Sequence, residues 1–389
     1  MTQAIKAALT AALLTLLGLT QAQAFDTGAR AAYVFDQETG SVLLSKNADT
    51  PLPPASMSKL MTVYMAFEAV REGRLSLKEE LPVSQHAMNY GGSTLFLRAG
   101  ERVSVEDLLR GIIVLSGNDA CAVIAEALSP DGTEAGFAQL MTRRARQIGM
   151  ENSTFSNSNG WPDPGQRMSM RDLAVLANRL HLDFPDFYPM FAEKEFLFDE
   201  KESQNRYNRN PLLGLGIGAD GLKTGHTSEA GYGLVGSAKQ GDRRVFFAIT
   251  GLPTAKSRAE EAEAIVNWAF RQFTPKTLVR SGDTVFDAEV TMGNAKTVPL
   301  VPARDINLLL PIFADEKVPS EVIYSGPIEA PIAKDQELAT LVISPEGLPP
   351  VTVPLLAGKD IGKGGFFVRL RAAATTLLGS AGLTVGDAL

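Results

Sequence analysis

The chain has 389 residues, 45% of them hydrophobic, and a formal net charge of −7, which suits two cored domains and argues against nucleic acid as a main partner. Its single cysteine, Cys121, excludes an intrachain disulfide framework and reads as a small buried apolar residue. With three histidines, His86, His181 and His226, no H-E-x-x-H and no Cys/His cluster, the chain offers no protein-built metal site and requires no cofactor.

The N-terminus has the layout of a secretory signal peptide. Lys6 is the only charged side chain before Asp26, residues 7–19 are an apolar run, and Ala22-Gln23-Ala24 is a small-x-small cleavage site. Cleavage after Ala24 starts the mature chain at Phe25, outside the cytoplasm. Two short apolar segments, residues 31–35 and 41–44, flank a turn and predict a β-hairpin.

Pro53 and Pro54 then precede Ser56, Met57, Ser58 and Lys59, at the start of an apolar helix over residues 60–70. Positions three apart on a helix are neighbours, so the Ser56 hydroxyl and the Lys59 amine can meet. A serine hydroxyl is a poor nucleophile until a base sits beside it. A lysine serves as that base only when burial or a nearby cation lowers its pKa. Unpaired N–H groups at a helix start suit a developing oxyanion. Taken alone, the same tetrad is also what an N-capping serine and a solvated lysine look like.

Ser104 caps a second helix running to Leu115. It stops at the turn Ser116-Gly117-Asn118-Asp119, and an apolar helix resumes over 120–128. A serine there is placed to relay a proton to a leaving amine. An asparagine there is placed to hold a substrate amide and steady a nearby lysine. Helices over 134–148 and 169–180 follow, separated by an Asn-, Gly- and Pro-rich loop over 157–165 that suits a cleft wall. Residues 195–218 read as irregular.

Lys223-Thr224-Gly225 comes next, on a strand edge. It offers a charge, a hydroxyl and, at the glycine, close approach of a ligand to the backbone. The N–H of His226 is a candidate oxyanion donor. Strands over 232–236 and 244–251 and a helix over 259–273 close this region, with Trp268 and Phe270 on the buried side and Arg258 at the helix start. Composition shifts near Thr274-Pro275. Short alternating segments beyond it (284–286, 289–291, 297–301, 338–343, 351–353) predict a small all-β domain without a catalytic constellation. In the tail, Phe366, Leu370, Ala373, Leu377 and Ala381 share a helical face near Lys363, Arg369 and Arg371. That predicts an amphipathic helix lying in a membrane interface.

Ser56-x-x-Lys59, Ser116-x-Asn118 and Lys223-Thr224-Gly225 lie in this order, about 60 and about 105 residues apart. Together they resemble the motif set of the serine penicillin-binding proteins and the related serine β-lactamases. Residues 116–121, and residues 220–227 followed by Ala230-Gly231-Tyr232, are more similar to one branch, the low-molecular-weight serine-type D-alanyl-D-alanine carboxypeptidases. The resemblance covers residues 25–362 and, more loosely, the tail.

That resemblance implies an α/β (α+β) transpeptidase fold over residues 25–274, with a five-stranded antiparallel sheet, helices and an adjoining helical cluster. A signal peptide (1–24) precedes it; a small β-sandwich-like domain (275–362) and an amphipathic anchor helix (363–389) follow. It implies Ser56 as the acylated nucleophile, Lys59 as its base and Ser116 as the proton relay. Asn118, Lys223, Thr224, Gly225, His226, Thr227 and Arg258 become substrate-binding residues. Among these, Lys223 helps keep Lys59 neutral, the Ser56 and His226 backbones form the oxyanion hole, and Thr224, Thr227 and Arg258 hold the terminal carboxylate. Relatives often carry a histidine before the glycine where this chain has Asn159-Gly160, so Asn159 is assigned no role.

The implied activity removes the terminal D-alanine from peptidoglycan stem pentapeptides through an acyl-enzyme, with β-lactams as covalent inhibitors. Its implied setting is the periplasm, at the inner-membrane surface through the C-terminal helix. Two other readings stay open here. One is a serine β-lactamase, for whose deacylating glutamate Glu151, Glu195 and Glu202 are available. The other is a noncatalytic cell-wall peptide-binding module.

Overall fold

The computed structural model describes residues 25–198, 200–202, 204–312 and 318–366, in two compact units, Phe25–Gln272 and the residues from Phe273 on. The expected signal peptide, and the expected anchor helix beyond residue 366, lie outside the described residues. Among the described residues, no helix is long and apolar enough to cross a membrane.

In the first unit, β1 (Ala31–Asp36) and β2 (Val42–Lys46) form the expected hairpin, with Tyr33 opposite Ser45. Three later strands, β3 (Ala219–Thr227), β4 (Gly231–Gln240) and β5 (Arg243–Leu252), complete an antiparallel sheet of five in the order β2-β1-β5-β4-β3. The central strands β4 and β5 are buried along their middles because both faces are covered. Phe246 and Ala248 of β5 join the core shared with the helical cluster. Phe247 and Ile249 are equally buried but, by strand alternation, face the other side, where a long C-terminal helix packs on β4 and β5.

The helical cluster is built around α1 (Lys59–Arg71), in which Leu60, Met61, Val63, Tyr64, Ala66 and Phe67 are no more than 1% exposed. A helix apolar all round must be central. Around it stand α2 (Val105–Arg110), α3 (Asn118–Leu128), α4 (Glu134–Gln147) and α5 (Met170–Asp183). Their starts are fixed locally. The side chains of Ser104, Thr133 and Ser169 accept from the N–H groups of Asp107, Gly136 and Asp172, caps worth about 1 kcal/mol each. The last helix, α6 (Ala255–Arg271), opens with a capping box between Thr254 and Ser257.

Two expected elements differ in detail. The helix from Ser104 does not stay α-helical: residues 111–115 widen into a π-turn, and Ser116 ends it at φ 66°. Helix α6 starts at Ala255, earlier than expected, because its cap is Thr254. Its buried face is Ala262, Ile265, Val266 and Ala269, with Trp268 and Phe270 only half-buried. The 3.6-residue period, not side-chain size, decides which face is inside.

Over residues 273–363 the described part of the second unit is built of strands. Its strands are β6 (Phe273–Val279), β7 (Phe286–Thr291), β8 (Thr297–Pro302), β9 (Ile306–Pro311), β10 (Ser320–Tyr324), β11 (Ile328–Glu329), β12 (Glu337–Ile343) and β13 (Val351–Ala357). Six of them form one sheet, β10-β12-β13-β8-β7-β11, and β9 pairs with β6. Alternation within strands selects the core: Val298 and Leu300 from β8, and Leu341 and Ile343 from β12, point into it.

Candidate active site

Ser56 lies in a tight 3-10 turn, Ala55–Ser58, that feeds α1. In such a turn side chains three apart eclipse each other. Lys59 Nζ accordingly donates to Ser56 Oγ at 2.8 Å. The residue before the serine, Ala55, sits at φ 48°, a conformation that non-glycine residues adopt only when their surroundings hold them there. Lys59 is fully buried, and its Nζ also donates to the backbone carbonyl of Asn159 at 2.6 Å. Burial lowers this amine to about 8, with Arg209 acting in the same direction and Cys121, Asp119 and Glu134 opposing.

Ser116, in its left-handed conformation, accepts from Lys223 Nζ at 2.9 Å. Asn118 ties two of its donors to the backbone of a neighbouring loop. Its Nδ2 donates to the carbonyl of Gly91 at 2.8 Å and its N–H to that of Ser93 at 2.7 Å, so the residue secures the loop at 91–93.

Strand β3 is the edge of the sheet and carries Lys223, Thr224, Gly225 and His226 along one wall. Glycine suits 225: a Cβ there would stand 3.0 Å from the Pro54 carbonyl oxygen and from Met57 Cγ, so the Ser56 turn would have to give by a few tenths of an ångström. Lys223 is buried too, and burial, then Lys59 and Arg209, holds its amine well below the ordinary lysine range. Arg209 is a cation that lowers both amines, and Lys59 in addition lowers Lys223.

A cleft of about 320 Å³ brings together Ser56, Ser116, Thr224, Gly225, His226 and Arg258 of the expected set. It adds Ser93, Arg209 and Tyr232, which the sequence did not single out for a role. Thr227 lies in an adjoining groove with Pro54, Gly160 and Trp161, and its Oγ accepts from Ala230 N at 3.1 Å. Arg258, in the first turn of α6, sits over the Tyr232 ring, which stacks on His226 at 3.8 Å. Its Nε has no hydrogen-bond partner among the described residues. Arg209 donates to Ser93 Oγ. Two guanidiniums in one cleft, that of Arg258 buried and that of Arg209 exposed, give it the charge to take an anion.

Glu151, Glu195 and Glu202 are exposed, and none of them lines this cleft. The buried acid that acts on Lys59 from α4 is Glu134. Asn159, assigned no role from sequence, contributes through its carbonyl. No residue type signals a backbone acceptor, so this contact had no mark in the sequence.

The fold is that of the penicillin-binding proteins. The chain is similar to the crystal structure of penicillin binding protein 5 from Haemophilus influenzae, with TM-score 0.72 and 31% identity, over 87% of this chain and 99% of that one. It is also similar to the ampicillin-bound form of penicillin-binding protein D2 from Listeria monocytogenes, with TM-score 0.56 and 31% identity, over 65% of this chain and 100% of that one. Residues 19–254 match the family described as D-alanyl-D-alanine carboxypeptidase, and residues 273–363 match the C-terminal domain of penicillin-binding protein 5. The chain is 34% identical over 346 residues to the D-alanyl-D-alanine carboxypeptidase DacF of Bacillus subtilis, which covers 88% of each. The chain belongs to the D-alanyl-D-alanine carboxypeptidase family. That membership goes with neither the β-lactamase nor the noncatalytic reading.

Proposed function

We propose that this cleft is the active site of a serine-type D-alanyl-D-alanine carboxypeptidase with Ser56 as the nucleophile. The observation that carries the assignment is the Lys59 Nζ–Ser56 Oγ contact of 2.8 Å, made by a lysine with no solvent exposure. Such a lysine can be neutral near physiological pH, and a neutral amine is a base.

The substrate is a peptidoglycan stem peptide ending in D-Ala-D-Ala. Its terminal carboxylate is held by Arg258, Thr224 and Thr227, and its backbone lies along Gly225 and beside Asn118. Ser56 Oγ adds to the penultimate carbonyl carbon while its proton passes to Lys59. The backbone N–H groups of Ser56 and His226 receive the oxyanion. The C–N bond then breaks, and the proton held by Lys59 passes by way of Ser116, which is hydrogen-bonded to Lys223, to the departing D-alanine nitrogen, leaving Lys59 neutral again. Water hydrolyses the ester and returns the proton to Ser56. A β-lactam acylates Ser56 in the same way, because its strained amide imitates the substrate end.

The enzyme is exported by the signal peptide of residues 1–24 and works in the periplasm. Residues 25–274 are its catalytic domain and residues 275–362 a separate β domain. The C-terminal segment over 363–389 attaches it to the inner-membrane surface, an assignment that fails if deleting 364–389 leaves membrane partition unchanged. The deciding test of the site is intact-mass spectrometry after brief benzylpenicillin exposure. The expected result is a long-lived adduct on the peptide carrying Ser56, absent in Ser56→Ala. Undiminished turnover by Ser56→Ala overturns the assignment, and an adduct lost within seconds as penicilloate accumulates overturns the carboxypeptidase reading in favour of a β-lactamase.

A further inference from the structure

We infer that Glu134 is a positioning residue for the reaction: it fixes the Asn159 carbonyl against Lys59 and so aims the Lys59 lone pair at Ser56. The inference rests on the Ser56–Lys59 reading above. Glu134 is the first residue of α4 and is 8% exposed. Its Oε1 accepts from Ser158 N at 2.9 Å and from Ser158 Oγ at 2.5 Å. Its Oε2 accepts from Tyr90 OH at 2.6 Å and lies 2.7 Å from His86 Nε2. From the other side, Thr62 Oγ of α1 donates to the Ser158 carbonyl at 2.5 Å.

Every polar group of Ser158 is thereby tied, and the next carbonyl along, that of Asn159, has a set direction. The asparagine side chain closes the loop: its Oδ1 accepts from Trp161 N at 2.9 Å, and its Nδ2 reaches Glu134 at 3.5 Å. The loop also abuts the nucleophile turn. Gly160 has φ 83°, and a Cβ there would stand 1.9 Å from the Ala55 carbonyl oxygen. A neutral amine has two N–H groups and one lone pair. With one N–H held by Asn159, rotation of the amine is restrained, and its lone pair can be presented to Ser56 Oγ. A displaced carbonyl would turn the amine away from the hydroxyl.

Glu134 also bears on the charge of Lys59. The charged and titratable groups around that amine are Glu134 on α4, Asp119 and Cys121 on α3, Lys223 on β3, and Arg209. The two carboxylates favour the protonated amine and the cations oppose it. A glutamine at 134 keeps an acceptor for Ser158 and removes the charge, so the acid limb of the rate profile should move to lower pH.

The experiment measures benzylpenicillin acylation of the full chain by intact mass, resolving the saturating rate from the non-covalent affinity across a pH series. Glu134→Ala should slow the saturating rate on the order of 100-fold with affinity nearly unchanged, the size expected when a reacting group is misaligned by about 1 Å. Glu134→Gln should recover most of that rate with the acid limb displaced to lower pH. Ser158→Ala, which keeps the backbone N–H contact, should lose only several-fold, roughly one hydrogen bond. A wild-type rate in Glu134→Ala overturns the inference, as does a loss confined to affinity. If Glu134→Ala does not fold, an unshifted profile in Glu134→Gln together with an unchanged rate in Ser158→Ala overturns it. Failure of the wild-type chain to be acylated on Ser56 would instead remove the underlying reading.

Discussion

Lys59 can act as a base only when neutral, and the structure sets how often that is so. Burial is the largest cause lowering its amine from 10.5 to about 8, and Arg209 adds to it. At pH 7 roughly one molecule in ten then holds the amine neutral, against fewer than roughly one in a thousand for an ordinary lysine. Because the active form is the deprotonated one, the acylation rate falls as pH drops below this value and levels off above it. Replacing Arg209 with glutamine removes a cation that lowers both Lys59 and Lys223. The amine then rises, the acid limb moves to higher pH, and the saturating acylation rate at pH 7 drops several-fold. The loss is partial because burial, not Arg209, is the main cause. The plateau at high pH should keep its height, since Arg209 lines the cleft without touching the Ser56–Lys59 pair. Stopped-flow acylation with a fluorescent penicillin from pH 6 to 9.5, read as the saturating rate, makes the measurement. A wild-type profile flat over that range, or an Arg209→Gln profile superimposed on the wild type, refutes the reasoning.

Other consequences are simpler to read. Gly160→Ala would press a methyl group on the Ala55 carbonyl at a φ of 83°. It should cost about 1–3 kcal/mol in thermal unfolding and slow acylation together, because the strained contact is with the nucleophile's own turn. Phe67 is fully buried among the rings of Phe184, Phe187 and Phe191. Phe67→Ala should cost about 3–5 kcal/mol in urea unfolding, and a loss below about 1 kcal/mol would mean that the cluster repacks. Cys121 is fully buried and its thiol is pushed up to about 12 by that burial. It should resist an aromatic disulfide reagent in the native protein and react once the chain is unfolded; rapid native labelling would contradict the packing of α3.

Much of this protein is written in short-range pattern. The two-residue period of the β domain, the serine and threonine caps, and the three-residue spacing of Ser56 and Lys59 each report a local backbone geometry, and local geometry follows from neighbouring residues. Where a stronger pattern overlies the local signal, structure and sequence pattern differ. The cap of α6 is Thr254, so the helix begins before the apolar run that advertises it, and the π-turn at 111–115 has the same composition as an α-helix. The organisation of the cleft is of another kind. Asn118 stands two residues from Ser116, and its Nδ2 also holds the distant loop at Gly91. Asn159 serves through a carbonyl that any residue would have supplied. Glu134 and Arg209 come from distant segments and carry no motif. By itself the sequence determined which elements form and which serine has a lysine beside it, because those are properties of adjacent residues. Only the tertiary structure decided what surrounds that lysine. Its charge and aim depend on burial and on groups brought from α3, α4, β3 and the loop at Asn159 by packing, and packing is a property of the whole chain.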